Sequence, residues 1–348
     1  MEGGRKMKNE QIVECRLCGR SAELKYKEFP GYQEPYTFKI YYCKYCNTAF
    51  SLPRVETSLI YEKIYENGEK VPGYARYWEY AQNIKKHVNP LKYLSEKEDT
   101  YWAVKEALSF IVKDKKSTKI LEIGSGLGYL TYSLIKANYD AVGLDISQTA
   151  VMNATENFGD HYICADLFQY AHLHPESFDI VILTEVIEHI DKPLDFIESI
   201  IKLLKPSGRV IISTPNKSLY PKDIIWDTEM PPVHIWWFSE DSMKYISKKK
   251  NTNIIFINFS NYYKDKFRAI EIAQLYDGQV PKPLFNKNGD LIIQSTMKNK
   301  SIKSHIRLLL SKIPFAKYIY VKFKKLLNTN NIVCNERGIV LCAILQKL

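Results

Sequence analysis

The chain has 348 residues, of which 45% are hydrophobic and 25% charged, ordinary globular values that exclude a disordered tail protein, a collagen-like fibre and a low-complexity scaffold. This length suits one large domain or two modest ones. No apolar run approaches the ~18 residues needed to span a bilayer, and the opening MEGGRKMKNEQ offers no stretch suited to a secretory signal, so a cytoplasmic location is expected. The net charge is +10, and the excess is local: Asp290 and Glu336 bracket a stretch with nine Lys and Arg residues and no acid.

In chain order, the first signal is cysteine. Cys15-x-x-Cys18 and Cys43-x-x-Cys46 form two pairs with 24 residues between them. Each C-x-x-C makes a tight turn that aims two thiolates at one centre, and two such turns complete the tetrahedral S4 set preferred by structural Zn²⁺. Two redox dithiols are the alternative, unusual without an export signal. With four thiolates no coordination position stays open for catalysis. Residues 1–55 are therefore expected to be a zinc ribbon, and 56–115 a helical linker or lid. Cys164, Cys334 and Cys342 lie in apolar, strand-like runs and are expected to be inert core residues.

From Thr118 onward strand and helix signals alternate. TKILEIG reads as a buried strand, followed by a glycine turn and a helix over about Tyr129–Ala137. AVGLD, HYICAD, FDIVILT, GRVIIST, NIIFINF and the closing GIVLCAILQKL continue the series. Short apolar strands separated by helices specify an α/β fold, a largely parallel sheet covered on both faces. Such a sheet binds its ligand at the carboxyl ends of the strands. There the sequence places Glu122-Ile-Gly124-Ser125-Gly126-Leu-Gly128, Asp145 at the end of the second strand, and Asp166 after the third. The glycines let backbone N–H groups approach a ligand, although their spacing is not that of the dinucleotide-binding motif. Asp145 is placed to accept from ribose hydroxyls, and Asp166 from an adenine amino group.

These motifs together resemble class I S-adenosylmethionine-dependent methyltransferases: LEIGSGLG, VGLDIS, CADLF, FDIVILTEVIEHI and LKPSGRVIISTPN are similar to five ordered motifs of that family. The resemblance covers about Thr118–Tyr263 plus the final strand. It implies a Rossmann-like seven-stranded sheet over residues 116–263 and 336–348, with S-adenosylmethionine as methyl donor. Gly124, Gly126 and Gly128 would approach the methionine part of the donor, Asp145 the ribose and Asp166 the adenine. Ser125, Ile146, Leu167 and Thr184 complete the expected donor set, and Glu122 would hold the donor's amino group or order the loop.

The fourth strand runs into Thr184-Glu185-Val-Ile-Glu188-His189. In a helical turn, positions i, i+3 and i+4 share a face, which would bring Glu185, Glu188 and His189 together; His234 follows in PPVHIWWF. Glu-x-x-Glu-His with a later His is similar to quinone-biosynthesis O-methyltransferases and to the methyltransferase that caps small-RNA 3′ ends on the 2′-hydroxyl. In the RNA branch the four side chains hold a divalent metal, so Mg²⁺ or Mn²⁺ at Glu185, Glu188, His189 and His234 is one reading. A general base at His189 or His234 is a second, and a structural role, as in metal-free relatives, a third. Trp236 and Trp237 would wall the acceptor pocket or belong to the core.

A four-cysteine module ahead of this domain is similar to the arrangement in deoxysugar C-methyltransferases and in surface-polysaccharide methyltransferases. The Tyr-x-x-Glu-His run associated with sugar C-methylation is absent, which favours oxygen. The expected activity is methyl transfer to a hydroxyl of a sugar or glycan intermediate, lipid-linked forms included. The alternatives are an RNA 2′-O-methyltransferase, a quinone-type small-molecule O-methyltransferase and a non-catalytic donor-binding assembly module.

Residues 264–335 form a basic insert before the last strand. Ile302, Ile306, Leu309 and Ile313 share one helical face; after Pro314, Ala316, Ile319, Phe323 and Leu326 repeat the spacing. An apolar stripe with only positive charge suits a peripheral contact of 298–327 with an anionic membrane surface, where each basic residue contributes ~1 kcal/mol. A nucleic acid is the less favoured partner, and a helical pair docked on the domain is the third reading.

Overall fold

The computed structural model describes residues 11–71, 73–219, 230–264, 269–271, 282–292, 331–333 and 336–348. Four short strands open the chain: β1 (Ile12–Glu14), β2 (Ser21–Pro30), β3 (Thr37–Cys43) and β4 (Thr48–Leu52). Helices α1 (Ser58–Glu66), α2 (Ala75–Asn83), α3 (Pro90–Lys97) and α4 (Asp99–Ile111) follow. The alternating part then runs β5 (Lys119–Ile123), α5 (Tyr129–Lys136), β6 (Asp140–Asp145), α6 (Gln148–Phe158), β7 (Tyr162–Cys164), α7 (Leu167–Leu173), β8 (Phe178–Thr184), α8 (Pro193–Leu203) and β9 (Leu204–Pro215). After it come β10 (Trp236–Trp237), α9 (Glu240–Lys249), β11 (Thr252–Phe256), α10 (Ser260–Tyr263), β12 (Ala269–Glu271), β13 (Asn331–Val333) and β14 (Val340–Lys347).

The central sheet has seven strands in the order β11-β14-β9-β8-β5-β6-β7. Only β14 runs against its neighbours, β9 and β11. Strand β5 is parallel to both β6 and β8, so the strand order reverses there and opens a crevice at its carboxyl end. Period-two alternation explains the burial on both faces. Val181 and Leu183 of β8 join Phe196, Ile197 and Ile200 of α8 and Ile246 of α9 on one face. Ile180 and Ile182 join Leu94, Val104, Leu108 and Leu134 of α3, α4 and α5 on the other. Each such side chain, taken fully out of water, contributes about 1.5–3 kcal/mol.

The cysteine module does not close on itself. Its sheet has five strands, β1-β2-β3-β4-β10, the last supplied by residues that follow the catalytic strands. Trp236 and Trp237 pair with Phe50 and Ala49 and are both 1% exposed; they are core residues rather than pocket walls. A separate apolar cluster joins Phe29, Ile40, Ile60, Ile64, Val233 and Phe285. The 56–115 segment is also divided: α1 packs with this cluster, whereas α3 and α4 belong to the body of the α/β domain.

Cys342 is buried, as expected, but Cys164 is exposed. It is the last residue of a three-residue strand at the sheet edge, where no described residue covers it although Tyr162 on the same face is buried. Cys334 and the basic stretch 298–327 lie outside the described residues. Within the insert, β12 pairs antiparallel with β13, and Phe285 donates its N–H to Tyr32 O at 2.9 Å. Among the described residues no helix is long and apolar enough to cross a membrane.

Gly128 has φ +80°, and a Cβ there would stand 2.6 Å from Ala154 Cβ and 2.9 Å from the Tyr162 ring. Gly128→Ala is therefore expected to lose about 1–3 kcal/mol from left-handed strain and overpacking, seen as a lower denaturant midpoint in donor-free protein.

Candidate active site

The residues expected on the donor side lie at the ends of β5 and β6. Gly124 and Ser125 donate their N–H groups to Leu144 O at 2.8 and 3.1 Å, which folds the glycine turn over β6. Asp145 accepts from Gly126 N–H at 2.8 Å through Oδ2 and from Ser147 N–H at 2.9 Å through Oδ1. These two bonds hold its carboxylate at the mouth of the turn. Gly124 at φ +72° admits no side chain, because a Cβ would meet Val186 Cγ2 at 2.6 Å.

Glu122 is 3% exposed and accepts a short hydrogen bond from Thr131 Oγ1, so here it orders the start of α5. Burial, opposed by that bond, pushes its carboxyl up to about 8. Asp166 caps α7 by accepting from Gln169 N–H at 3.1 Å; Leu167 behind it is buried, and Ile146 is 74% exposed at the open side of the crevice. Thr184, half-buried, ends β8 opposite Ser213. Ser125 Oγ is buried without a hydrogen-bond partner.

The residues expected on the acceptor side follow β8. Glu185 adopts φ +56°, and the turn after it is a single 3₁₀ turn over Ile187–His189 rather than an α-helical one. Glu188, His189 and His234 offer ligand atoms that all lie within 4.8 Å of one another. Glu185 stands outside that group: its Oε1 accepts from Thr100 Oγ1 and Ser213 Oγ, each at 3.2 Å. Burial, then the charge of Asp99, raises its carboxyl to about 7.

Glu188 is fully buried. Its Oε2 accepts from Thr214 Oγ1 at 3.0 Å, while Oε1 has no partner. Burial and the neighbouring Glu185 push this carboxyl well above the usual range. His189 Nδ1 lies 2.7 Å from Val233 O. A carbonyl only accepts, so Nδ1 carries the proton and Nε2 is left for another partner. The His234 ring crosses that of His189 at 4.5 Å between centroids, and its Nδ1 is buried and unpartnered. Burial lowers both imidazoles, His234 further because His189 faces it; both are neutral near pH 7.

Helices α1 and α2 supply what the sequence reading missed. The Tyr61 ring stands 6.3 Å from that of His189, edge to face, and Tyr65 reaches toward Gly126 with its ring 5.9 Å from Trp78. A Tyr-x-x-x-Tyr pair on one face of a predicted helix was the available signal. Thr214, the one hydrogen-bond partner of Glu188 Oε2, lies in IISTPN with no distinguishing pattern.

In the cysteine module, Cys15 and Cys46 Sγ are 3.6 Å apart and Cys18 and Cys43 Sγ 3.5 Å. A tetrahedron with ~2.3 Å Zn–S bonds has edges of about 3.8 Å, so four thiolates at this spacing fit Zn²⁺ closely.

Residues 94–255 match the family model described as a methyltransferase domain. This chain contains a methyltransferase domain. The domain is 36% identical over 106 residues to a ubiquinone biosynthesis O-methyltransferase of Aliivibrio fischeri, covering 29% of this chain and 45% of that protein. It is 28% identical over 153 residues to the protein of the same name from Pectobacterium carotovorum, covering 41% and 58%. The chain thus spans about half the length of the curated relatives it matches. Among solved structures, a SAM-dependent methyltransferase from Archaeoglobus fulgidus is 17% identical with a TM-score of 0.42, covering 70% of this chain and 93% of that one.

The methyltransferase domain's buried Glu122 gives a pH signature. Its carboxyl holds a proton in the fold up to about 8 but ionises near 4.3 when unfolded. A raised acid stabilises the fold only below its unfolded value, so its contribution falls as pH rises from about 4.5 to 8. Glu122→Gln should flatten that loss, and the stability difference between variant and wild type, read from denaturant midpoints, should move in the variant's favour between pH 5 and pH 8.

Proposed function

We propose that this protein transfers the methyl group of S-adenosylmethionine to a hydroxyl oxygen of a small ring-bearing acceptor. The observation that carries this reading is the unpartnered pair Glu188 Oε1 and His234 Nδ1 beside His189, whose Nδ1 is held on Val233 O. Buried polar atoms without partners cost about 1–3 kcal/mol each, and a hydroxyl-bearing substrate gives them partners. The sulfonium is already activated, so rate depends on holding oxygen, methyl and sulfur in line and on receiving the hydroxyl proton. Neutral His189 or His234 receives it. The glycine turn and Asp145 hold the donor, with Asp166 at its adenine end.

A sugar or glycan acceptor is supported by the four-cysteine module ahead of the domain and by the tyrosines that line the cleft, whose ring faces suit the apolar face of a sugar. A quinone-type acceptor is supported by the identity with the ubiquinone biosynthesis O-methyltransferases. In a second reading of the chemistry, Glu188, His189 and His234 hold Mg²⁺ or Mn²⁺; the mixed oxygen and nitrogen donors fit such an ion. When bound, that ion would lower the pKa of the acceptor hydroxyl. Binding of 298–327 to an anionic membrane belongs with a lipid-linked acceptor.

The test uses methyl-labelled donor with an extract of the source organism, counted separately in lipid-linked glycan, sugar-nucleotide, quinone and RNA fractions. Label in a glycan or sugar fraction supports the first acceptor, label in the quinone fraction the second, and label in RNA or in no fraction overturns the proposal. His189→Ala and His234→Ala are each expected to lower turnover by about 10²–10⁴ while S-adenosylhomocysteine binds as before by calorimetry. A large loss of that binding would contradict the assignment to the acceptor side. Loss of turnover on chelation, restored by Mg²⁺ or Mn²⁺ with zinc content unchanged, would select the metal reading.

A further inference from the structure

We propose that Arg54, acting with Asp191 and Arg16, is a positioning residue that ties the cysteine module to the two acceptor-side histidines. The inference rests on the reading of His189 and His234 as acceptor-side groups, and it gives the cysteine module a role in their placement.

The two histidines arrive on separate segments, and neither belongs to a long element. His189 ends a 3₁₀ turn, and His234 precedes the two-residue strand β10. Ile235 N–H donates to Glu188 O at 3.0 Å, and Trp236 Nε1 donates to Ile190 O at 2.8 Å. These bonds join the segments to each other; the cysteine module fixes both. Ser51 N–H of β4 donates to Ile235 O at 3.1 Å.

Arg54, two residues past β4, reaches both segments with one guanidinium. Its Nη1 donates to Ile235 O at 3.1 Å. Its Nε lies 3.1 Å from Asp191 Oδ1, close enough for charge attraction though off the line of a hydrogen bond. The guanidinium also lies 5.0 Å from the centroid of the Trp236 ring. Asp191 is two residues beyond His189, and Ile235 is next to His234. Arg16, between Cys15 and Cys18 in the first cysteine turn, donates to the same Asp191 oxygen at 2.8 Å. Geometry set at the thiolates therefore reaches His189 through Arg16 and Asp191, and His234 through β4, Arg54 and Ile235.

Stability alone is a poor account of this arrangement. The Arg54 side chain is only 16% exposed while Asp191 is 50% exposed, and burial pulls the guanidinium down to about 10. An ion pair with a half-exposed partner contributes little, and a methionine of similar reach would pack against Trp236 without desolvating a charge. What the methionine lacks is the fork that holds a carboxylate and a carbonyl at fixed separation.

The experiment uses the full-length, zinc-loaded protein with ¹⁵N-labelled histidine, the two ring signals being assigned from His189→Ala and His234→Ala spectra. Arg54→Met and Asp191→Asn are each expected to move the ring signals of both histidines and to speed exchange of the Ile235 amide about tenfold. S-adenosylhomocysteine affinity should stay within about twofold. Asp191→Asn is isosteric and half-exposed, so it decides the matter if Arg54→Met fails to fold. Unmoved ring signals and unchanged exchange in Asp191→Asn would overturn the proposal, even with a lower melting temperature. The readout is imidazole geometry, so a failure to methylate any acceptor would count against the proposed function and not against this one.

Discussion

The rest of the site depends on a carboxyl group that the fold removes from water and only half satisfies. Glu188 is fully buried, with one oxygen on Thr214 and the other without a partner. Burying an ionised carboxylate without compensation is prohibitive, so such a group takes up a proton instead, and the direction of its shift agrees. The same burial lowers His189 and His234. A neutral acid beside two neutral imidazoles is the ground state that this enclosure selects. Its cost is met by the apolar layers on both faces of the sheet, which hold the ends of β8 and β9 rigid enough for Thr214 to stay within bonding distance.

That enclosure is completed by chain from outside the α/β domain. A Rossmann-like sheet ends its strands in loops, and loops alone hold side chains poorly. Here Trp236 and Trp237, beyond β9, form the fifth strand of the cysteine module, which pairs this part of the chain. Val233, in the same stretch, accepts from His189 and also packs in the apolar cluster with Phe29 and Ile60. The module and the site therefore share residues. Small cysteine modules have too little core to stand alone, and this one draws the missing burial from Trp236 and Trp237 at 1% exposure each.

How much of this was legible in the sequence follows from which interactions are local. Strand runs such as FDIVILT carry their own periodicity, and the glycine turn and Asp145 sit at strand ends, so the sheet and the placement of these residues at its carboxyl edge could be read directly, whereas the order of its strands could not. Two C-x-x-C turns announce an S4 set by spacing alone. Glu185 shows the limit: a sequence pattern of i, i+3 and i+4 presumes an α-helical turn, whereas a left-handed Glu185 and a 3₁₀ turn leave it beside Glu188 but outside the group of ligand atoms formed by Glu188, His189 and His234. Cys164 illustrates the same point at the sheet edge, where the last residue of a three-residue strand stays open to solvent although Tyr162 on the same face is buried. The pairing of Trp236 with Phe50 spans nearly the whole module and domain in sequence. Nothing in either segment announces the other.

The choice of base in the proposed reaction follows from charge conservation. Tyr61 and Tyr74 lie within electrostatic reach of Glu188 and Tyr77 of Glu185, but burial raises all three phenols, Tyr74 to about 12, so none is a phenolate that accepts a proton near neutrality. A buried imidazole with a lowered pKa is ordinarily a weak base because the cation it forms is poorly solvated. Methyl transfer changes that balance. The donor enters as a sulfonium cation and leaves as a neutral thioether, while the acceptor loses a proton and remains neutral. If His189 or His234 takes that proton, the positive charge moves from sulfur to imidazole across a few ångströms and no new charge is created. The low-dielectric surroundings that disfavour a free imidazolium equally disfavour the sulfonium it replaces, so the enclosure that keeps these histidines neutral at rest does not oppose their protonation during the transfer.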